Sequence, residues 1–467
     1  MSRLAIATPH RLASEAGAAA FRAGGTAVDA ALAAAAVLAV VAPQDCALGG
    51  DAFALVAVPS GEVHAVNGSG AAAAAVDPAA VRARHDGTMP IRGTDTITVP
   101  GAVAAWDAVG QLGARLPWAE RLAPAAAYAR DGAPVSPVLA RALAAEAPLV
   151  RADPGLREVL GDGTLRQPAL ADTLEALRDG GADALYRGEV GARLVAGLRA
   201  LGSPLAQADL AAHATEVTAP LQTRFAGRDV LTAPPNSQGY VLLELLRPLE
   251  AVGGVPDPVG RELEPLAALC RHAAAERDRT LADPRVHRAG GDTVAISALD
   301  DEGHAVSLIQ SLYWAFGAGV LEPATGILCH NRGAAFSLDP GAPNALRGGA
   351  RPPHTLMPVL VRRDGQIEGA HGTMGGRAQP CIHLQVLLRL LRGASAQEAV
   401  AAPRWIVDPG GRLLIEEGAG TPPPDAILLE PCRDEVGHAQ VARWGEGRLE
   451  AGADPRADAG AALVVAR

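Results

Sequence analysis

Lysine is absent from this sequence of 467 residues. All 41 residues counted together as lysine or arginine are arginine. No side chain supplies a primary amine, which excludes Schiff-base and pyridoxal-phosphate chemistry, the Walker-A phosphate loop and Ser-x-x-Lys nucleophiles. Cysteine is scarce and odd in number, with no Cys-x-x-Cys pair among Cys46, Cys270, Cys329, Cys381 and Cys432. This spacing predicts reduced cysteines rather than a disulfide framework or a zinc site.

The sequence also lacks a basic excess and a long apolar run. The net charge is −10 and the arginines are scattered, so we expect no nucleic-acid or membrane partner. The most apolar stretch, residues 30–42, is shorter than the roughly 20 residues that span a bilayer and predicts a buried helix. The first residues have none of the features of a signal peptide. These observations predict a cytoplasmic protein that acts on a small molecule or a peptide.

Helical and strand-like patterns alternate along the chain. Near the N-terminus, Gly24 and Gly25 end one predicted helix, and Thr26 with Asp29 has the capping-box spacing that begins a second. The pattern predicts a β-hairpin at residues 53–66 and a mostly helical scaffold at residues 100–249. Three strands are predicted at residues 293–300, 304–312 and 356–361, and two helices at residues 383–391 and 395–402. This order favours one α/β (α+β) layered body over separate domains.

Several catalytic motifs can be excluded by spacing. The twelve histidines form no His-x-x-x-His or His-Glu-x-x-His pattern, so no metal is expected. Residues 235–239 (PNSQG) have proline where a nucleophile elbow has its first glycine, which predicts Ser237 as a turn residue. The glycine-rich residues 317–322 lack the third glycine of a nucleotide-binding fingerprint. We therefore expect no cofactor.

A hydroxyl nucleophile remains, and the segment GGDTVAIS at residues 290–297 offers one. If the chain is cut before Thr293, that residue gains a free α-amine with an ordinary pKa of about 7.7–8.0. Such an amine acts as the general base for its own hydroxyl, and no lysine or histidine is required. On pattern alone, a threonine that opens a strand after two glycines is an ordinary β-strand residue.

Several short blocks of sequence are distributed along nearly the whole chain. The blocks are LASEAG at 12–17, RAGGTAVDAA at 22–31, LGGDAF at 48–53, VPGAV at 99–103, AERDRTLADP at 275–284, DTVAIS at 292–297, GHAVS at 303–307, FGAGV at 316–320, TGIL at 325–328, PNAL at 343–346 and AGADPR at 451–456. These blocks, in this order, resemble the γ-glutamyltranspeptidase family of N-terminal-nucleophile hydrolases, and so many matches in order make chance similarity implausible.

The resemblance implies a four-layer αββα sandwich and self-cleavage between Asp292 and Thr293. A large chain, residues 1–292, and a small chain, residues 293–467, would then form one intertwined body that transfers acyl groups through a covalent acyl-enzyme. Thr293 falls on the family's nucleophile and Ser311 on its second hydroxyl residue. Gly375 and Gly376 fall on the paired glycines whose backbone N–H groups face the oxyanion. The two chains of the precursor would be each other's partners, and a homo-oligomer is compatible with this expectation.

The sequence departs from the family where the true transpeptidases bind the γ-glutamyl group. Ser69 lies in NGSGA where the family has the arginine that holds the α-carboxylate, and the partners of the α-ammonium are replaced by Tyr313, Arg332 and Ala335. The segment before Thr293 is also shorter than in the family. An arginine in place of the ammonium's partners would repel a γ-glutamyl substrate.

Residues 328–340 and 351–358 resemble instead a subgroup of the family that includes oxamate amidohydrolase and related acylases. The resemblance implies a substrate with a small anionic acyl group. Arg332, His354 and Arg377 are the expected positive partners of that group, because arginine offers a planar fork to a carboxylate. The predicted substrate-binding residues are Ser69, Tyr313, Arg332, His354, Thr355 and Arg377.

Three functions follow as hypotheses. The first is a self-cleaving N-terminal-threonine amidohydrolase that acts on a small amide with an anionic acyl part, similar to oxamate. The second is a genuine γ-glutamyltransferase or glutathione hydrolase that binds its glutamyl group through other residues. The third is an uncleaved, catalytically silent binding protein of the same fold.

Overall fold

The computed structural model describes residues 3–160, 164–281, 292–457 and 460–467, without the side chains of Thr164 and Asp292. The strands of this described part are β1 Arg3–Thr8, β2 Asp51–Ala57, β3 Val63–Asn67, β4 Ala133–Pro134, β5 Thr164–Leu165, β6 Glu216–Thr218, β7 Leu221–Phe225, β8 Arg228–Thr232, β9 Asp292–Asp300, β10 Ala305–Tyr313, β11 Leu321–Glu322, β12 Ile327–Leu328, β13 Val359–Arg363, β14 Gln366–Thr373, β15 Trp405–Val407, β16 Leu413–Glu416, β17 Ile427–Leu429, β18 Ala439–Gly445, β19 Arg448–Ala453 and β20 Ala461–Ala466.

The helices surround these strands. They are α1 Arg11–Arg22, α2 Ala27–Val41, α3 Pro78–Arg84, α4 Ala102–Gln111, α5 Trp118–Asp131, α6 Pro137–Ala145, α7 Ala147–Ala152, α8 Pro154–Val159, α9 Pro168–Gly180, α10 Asp183–Tyr186, α11 Glu189–Ala200, α12 Gln207–Ala211, α13 Tyr240–Val252, α14 Leu263–Thr280, α15 Gln379–Leu391 and α16 Ala396–Ala401. Within the described ranges, no helix is both long and apolar enough to cross a membrane.

Two antiparallel sheets form the centre of the molecule. The first has seven strands in the order β20-β1-β9-β10-β2-β3-β6, and the second has six in the order β19-β18-β14-β13-β8-β7. Small and aliphatic side chains from both sheets, among them Leu55, Leu299, Leu231 and Leu360, share one buried cluster. The sheets therefore pack face to face.

Strand β9 illustrates why the strands of the first sheet are apolar on both faces. Successive side chains of a strand point to opposite faces. Val294 and Ile296 pack into the cluster formed with the helices, whereas Ala295 and Leu299 belong to clusters shared with the second sheet. Thr293 has the parity of Ala295 and Leu299, so its side chain faces the second sheet.

Helices cover the outer faces of both sheets. On the first sheet, α1, α2 and α4 pack directly, while α5 packs on α2 and α9 packs on α5. On the second sheet, α13 and α15 pack directly, and α14 packs on α13. The layers are thus helix, sheet, sheet and helix, which confirms the predicted four-layer αββα sandwich.

The N-terminal helical hairpin is also confirmed. Thr26 caps α2 by accepting a hydrogen bond from the backbone of Val28, and the carboxylate of Asp29 accepts a hydrogen bond from the Thr26 backbone N–H at 2.8 Å. Every residue of α2 is buried, as expected for the most apolar stretch of the chain. The strand β1, which precedes the hairpin and pairs with both β20 and β9, was not predicted.

The mostly helical scaffold predicted for residues 100–249 is present, although its strands were not individually predicted. Helices dominate this region, but it also contains β6 at the edge of the first sheet and β7 and β8 in the second. β8 pairs with β13, a strand more than a hundred residues later. Such long-range pairing stabilises a short strand that local periodicity does not distinguish from its helical surroundings.

Candidate active site

Thr293 and Ser311 lie side by side on the central strands β9 and β10. The hydroxyl of Thr293 donates a hydrogen bond to Ser311 Oγ at 3.1 Å, and both side chains are buried. Ser311 Oγ also accepts the backbone N–H of Tyr313 at 2.8 Å, where the register of the two strands shifts. The structure therefore brings the predicted nucleophile and the predicted second hydroxyl together.

The predicted cleavage site lies at the start of β9. The backbone of Asp292 pairs with Tyr313, but its side chain and residues 282–291 lie outside the described residues. The geometry immediately before the Asp292–Thr293 bond is consequently not part of the site described below.

Gly375 and Gly376 form a turn between β14 and α15, here called the glycine turn. Their φ angles of 138° and 51° lie in a region that side chains rarely adopt, and a Cβ on Gly375 would approach Ile382 Cδ1 to 2.5 Å. Gly372, on the preceding strand, lies against Ala295 of β9. Since Ala295 is two residues after Thr293, the glycine turn lies at the same end of the sandwich as Thr293.

A small, partly open pocket adjoins this end of the sheets; it is called the Arg332 pocket below. Its lining residues are Gln238, Arg277, Leu281, Tyr313, Arg332, Ala335, Pro353, His354, Thr355 and Arg377. Five of the six predicted substrate-binding residues are among them. The exception is Ser69, whose hydroxyl donates to Asn67 Oδ1 at 2.7 Å and accepts from Asn236 Nδ2 at 3.0 Å, so that it lies behind the pocket lining.

Arg332 is the central cation of the pocket. It is 3% exposed, its guanidinium carbon lies 3.6 Å from the centre of the Tyr313 ring, and its Nη1–H donates to Thr355 Oγ1 at 3.3 Å. Burial lowers the pKa of Arg332, and the nearby Tyr313 and Asp51 raise it again. Among the described residues, Arg332 Nε has no hydrogen-bond partner. A buried donor without a partner is costly unless a ligand accepts from it.

His354 lines the pocket but does not carry the positive charge that the sequence predicted. Burial, followed by the charge of Arg332, lowers the pKa of His354 to about 4, so the ring is neutral at neutral pH. Its Nε2–H donates to Asp51 Oδ2 at 3.1 Å, and its Nδ1 accepts the backbone N–H of Leu356 at 3.4 Å. The ring thus fixes the segment that carries Thr355.

Arg377 is the third residue that the sequence offered as a positive partner of the acyl group. It forms an ion pair with Asp278 of α14, so a carboxylate already neutralises much of its charge. Arg377 thus joins the glycine turn to α14, although its Nε also lacks a hydrogen-bond partner. Among the described residues, Arg332 is left as the pocket arginine without a carboxylate partner, since Arg277 and Arg377 both pair with Asp278.

Asp51 is a buried acid that the sequence did not single out, although it lies in the block LGGDAF. It lies opposite Ser311 across the β2–β10 pair and accepts hydrogen bonds from His354 Nε2 and the backbone N–H of Gly70, at 3.1 and 3.2 Å. Burial alone would raise the pKa of Asp51, but His330 and His354 hold it well below its usual range. The carboxylate is therefore the fixed negative charge beside the pocket.

Gln238 and Arg277 are polar residues of the pocket lining that the sequence did not single out. Ser237, which precedes Gln238, closes a turn by donating its backbone N–H to the carbonyl of Pro234 at 3.2 Å, and its hydroxyl donates to the carbonyl of Leu356 at 2.7 Å. The signal for Gln238 was the segment PNSQG, which was set aside because it failed as a nucleophile elbow. Within the described ranges, no group of three His, Cys, Asp or Glu side chains is arranged to hold a metal ion.

The fold and the site can now be compared with known proteins. The model of the gamma-glutamyltranspeptidase family matches residues 13–290 and 286–464. The oxamate amidohydrolase proenzyme of Klebsiella pneumoniae is 35% identical, over 97% of this chain and 97% of that protein. A glutathione hydrolase-like proenzyme of Bacillus subtilis is also 35% identical, over 98% of each chain.

Among solved structures, a cephalosporin acylase from Bacillus halodurans superimposes with a TM-score of 0.87 at 30% identity, covering 99% of this chain and 96% of that one. The fold is therefore that of an N-terminal-nucleophile hydrolase, and the protein is an enzyme of the amidohydrolase and acyltransferase class. The chain belongs to the gamma-glutamyltranspeptidase family.

Proposed function

We propose that this protein is a self-cleaving amidohydrolase that uses Thr293 as its nucleophile and hydrolyses a small amide with an anionic acyl group, similar to oxamate. The observation that carries the proposal is the buried Arg332, whose Nε–H lacks a partner in a pocket beside the Thr293–Ser311 pair. The 35% identity of this chain to an oxamate amidohydrolase proenzyme supports the same substrate class.

Self-cleavage would begin with attack of Thr293 Oγ1 on the carbonyl carbon of Asp292. The C–N bond of that peptide breaks as an ester forms, and the amine of Thr293 is released. Water then hydrolyses the ester, which leaves the carboxylate on Asp292 and restores the hydroxyl. Ser311 Oγ, which accepts the Thr293 hydroxyl proton in a hydrogen bond, orients the oxygen for attack.

The two chains would remain one body after cleavage. In the first sheet, β1, β2, β3 and β6 come from residues 1–292, and β9, β10 and β20 come from residues 293–467. β1 lies between β20 and β9, so each chain contributes strands between those of the other. Separating them would expose the cluster between the sheets.

In turnover, the free amine of Thr293 would take the proton of its own hydroxyl as Oγ1 attacks the substrate amide. Backbone N–H groups of the glycine turn would face the oxyanion, an arrangement in which one donor typically contributes about 10²–10³ in rate. The amine proton passes to the leaving nitrogen, and water hydrolyses the acyl ester. Arg332 would hold the carboxylate of the acyl group through its unpartnered Nε–H.

Hydrolysis of a γ-glutamyl compound is the second candidate, supported by the glutathione hydrolase-like relative. A γ-glutamyl group brings an ammonium as well as a carboxylate, and the pocket offers Arg332 and the neutral His354 where that ammonium would lie. A buried charge without a partner costs several kcal/mol, so the anionic amide is favoured.

The test combines mass spectrometry with a substrate panel. Purified protein should consist of residues 1–292 and 293–467, and Thr293→Ala should remain one intact chain without activity. The cleaved enzyme should hydrolyse oxamate or another short anionic amide faster than γ-glutamyl anilide. An active enzyme that stays intact, or a strong preference for γ-glutamyl anilide, would contradict the proposal.

A further inference from the structure

Gln238 connects three separate segments of the active site through one side chain. It is 1% exposed. Its Nε2 donates to the carbonyl oxygens of Thr355 and Gly376 at 2.8 and 2.7 Å, and its Oε1 accepts from Arg277 Nη1 at 2.9 Å. Its backbone N–H donates to the carbonyl of His354 at 3.0 Å. Both hydrogens of the amide, as well as its oxygen, are therefore used.

The pattern of donors and acceptors specifies an amide. Two carbonyl oxygens need an NH₂ group, and a guanidinium needs an acceptor. A glutamate would satisfy Arg277 but would place a second acceptor against two carbonyls. A methionine would fill the space and satisfy none of the three. Glutamine is the side chain of this length that meets all three requirements.

The segments that Gln238 joins have different roles in the site. Thr355 accepts a hydrogen bond from Arg332 through its hydroxyl, while Gly376 belongs to the glycine turn. Arg277 donates with the same Nη1 to the carbonyl of Arg377 at 2.8 Å. Gln238 and Arg277 thus hold two consecutive carbonyls of the turn, those of Gly376 and Arg377.

We propose that Gln238 is a positioning residue that couples the Arg332 side of the pocket to the glycine turn, with Arg277 as its fixed anchor. It touches no reacting atom; it sets the distance between the group that holds the acyl carboxylate and the backbone that faces the oxyanion. Reactions on enzymes are sensitive to such distances, because a misplacement of about 1 Å costs on the order of 10²-fold in rate. This inference rests on the proposed function of the same site.

The coupling also explains how the two chains would share one site. Gln238 and Arg277 precede Thr293 in the sequence and belong to the proposed large chain, whereas Thr355, Gly376 and Arg377 belong to the small chain. The large chain would thus position the oxyanion side of a site whose nucleophile lies on the small chain.

The test compares Gln238→Glu with Gln385→Glu. Gln385 is equally buried, and its Nε2 donates to the carbonyls of Trp405 and Cys381 at 2.6 and 3.2 Å, but it does not line the pocket. The two variants lose the same kind of hydrogen bonds. Gln238→Met removes the polar contacts while filling the space.

We expect Gln238→Glu and Gln238→Met to lower kcat at least about tenfold on every amide that the enzyme hydrolyses, because the glycine turn moves. KM should rise only for anionic amides, because Gln238 holds Thr355, whose hydroxyl accepts a hydrogen bond from Arg332. Gln385→Glu should be less stable than the unmodified protein, because it loses buried hydrogen bonds. Its kcat and KM should stay within about twofold per folded, cleaved molecule, because Gln385 does not line the pocket. A Gln238 variant that folds without cleaving, beside a Gln385→Glu that cleaves, would also support the coupling.

Equal kcat losses in Gln238→Glu and Gln385→Glu, or an unchanged kcat in both Gln238 variants, would overturn it. The proposed function fails separately, when the unmodified enzyme hydrolyses no anionic amide. In that case the kcat ratio of the variants is measured on the amide that the enzyme does hydrolyse, and it still decides the role of Gln238.

Discussion

The Arg332 guanidinium lies over the Tyr313 ring, with 3.6 Å between its central carbon and the ring centre. Tyr313 has a φ of 81°, an uncommon conformation for a bulky residue, and its backbone N–H donates to Ser311 Oγ. The residue that supports the cation is thus tied directly to the hydroxyl that receives the hydrogen bond of Thr293. The nucleophile and the cation are positioned by one short segment of β10.

The first prediction concerns the charge of Arg332. Arg332→Gln should lower kcat/KM for an anionic amide by about 10–100-fold, because a hydrogen bond to a charged group contributes about 1.5–3 kcal/mol. A neutral amide of the same size should change little. Steady-state kinetics on the two substrates measure the difference, with Arg412→Gln as a control at an exposed arginine. Equal losses on both substrates would show that Arg332 supports the fold and not the acyl carboxylate.

A second prediction concerns the replaced ammonium site. Arg332→Asp combined with Ala335→Asp should raise the ratio of activity on γ-glutamyl anilide to that on an anionic amide at least about tenfold, since opposite charges replace repulsion with attraction. Both positions line the Arg332 pocket. The single variant Ala335→Asp is the control: its carboxylate would pair with Arg332, so it should lose the anionic amide without gaining the γ-glutamyl compound. If the double variant leaves this activity ratio unchanged, the ammonium of a γ-glutamyl substrate does not bind beside positions 332 and 335.

The third prediction concerns Ser311. Ser311→Ala should lower kcat by about 10–100-fold, because the variant loses the acceptor of the Thr293 hydroxyl and the tether of Tyr313, whereas Ser311→Thr should retain most activity. Ser307→Ala is the matched control on the same strand, since the Ser307 hydroxyl donates to the carbonyl of His371 at 2.7 Å, away from the pocket. If both alanine variants behave alike, Ser311 has only a structural role.

The fourth prediction is loss of stability in acid. Burial lowers the pKa of His10 and His354 to about 4 and that of His371 and His383 to about 3, from 6.5. The unfolded chain therefore binds more protons below pH 6.5. The free energy of unfolding therefore keeps its full value above pH 6.5. It decreases as the pH falls toward 4, by about 1.4 kcal/mol per pH unit for each histidine.

Urea unfolding at pH 8, 7, 6 and 5 measures this dependence. The free energy of unfolding should be nearly constant at the two higher values and fall steeply at the two lower ones. His383→Gln should unfold with a shallower dependence than the unmodified protein, because one titrating group has been removed. A free energy of unfolding that does not change between pH 7 and pH 5 would contradict the assignment of neutral buried histidines.

Much of the fold was predictable because it depends on neighbouring residues. The capping box of Thr26 and Asp29, the apolar run of α2 and the hairpin of β2 and β3 follow from patterns within a few positions of each other. The short apolar run at residues 293–300 predicted a strand that begins at Thr293, and the blocks in family order predicted the four layers and placed Thr293, Ser311 and the two glycines.

The state of the pocket was not predictable in the same way, because charge and hydrogen bonding depend on contacts between distant residues. His354 loses its positive charge in a buried place beside Arg332, and its partner Asp51 lies 303 positions earlier in the chain. Gln238 meets Gly376 across 138 positions, and Arg377 finds its carboxylate on α14. The sequence alone determined which chemical groups were present and the order of the elements that carry them. Only the tertiary structure decided which of those groups are desolvated, which are paired and which, like Arg332 Nε, keep a donor for a ligand, because burial and pairing arise when distant strands pack together.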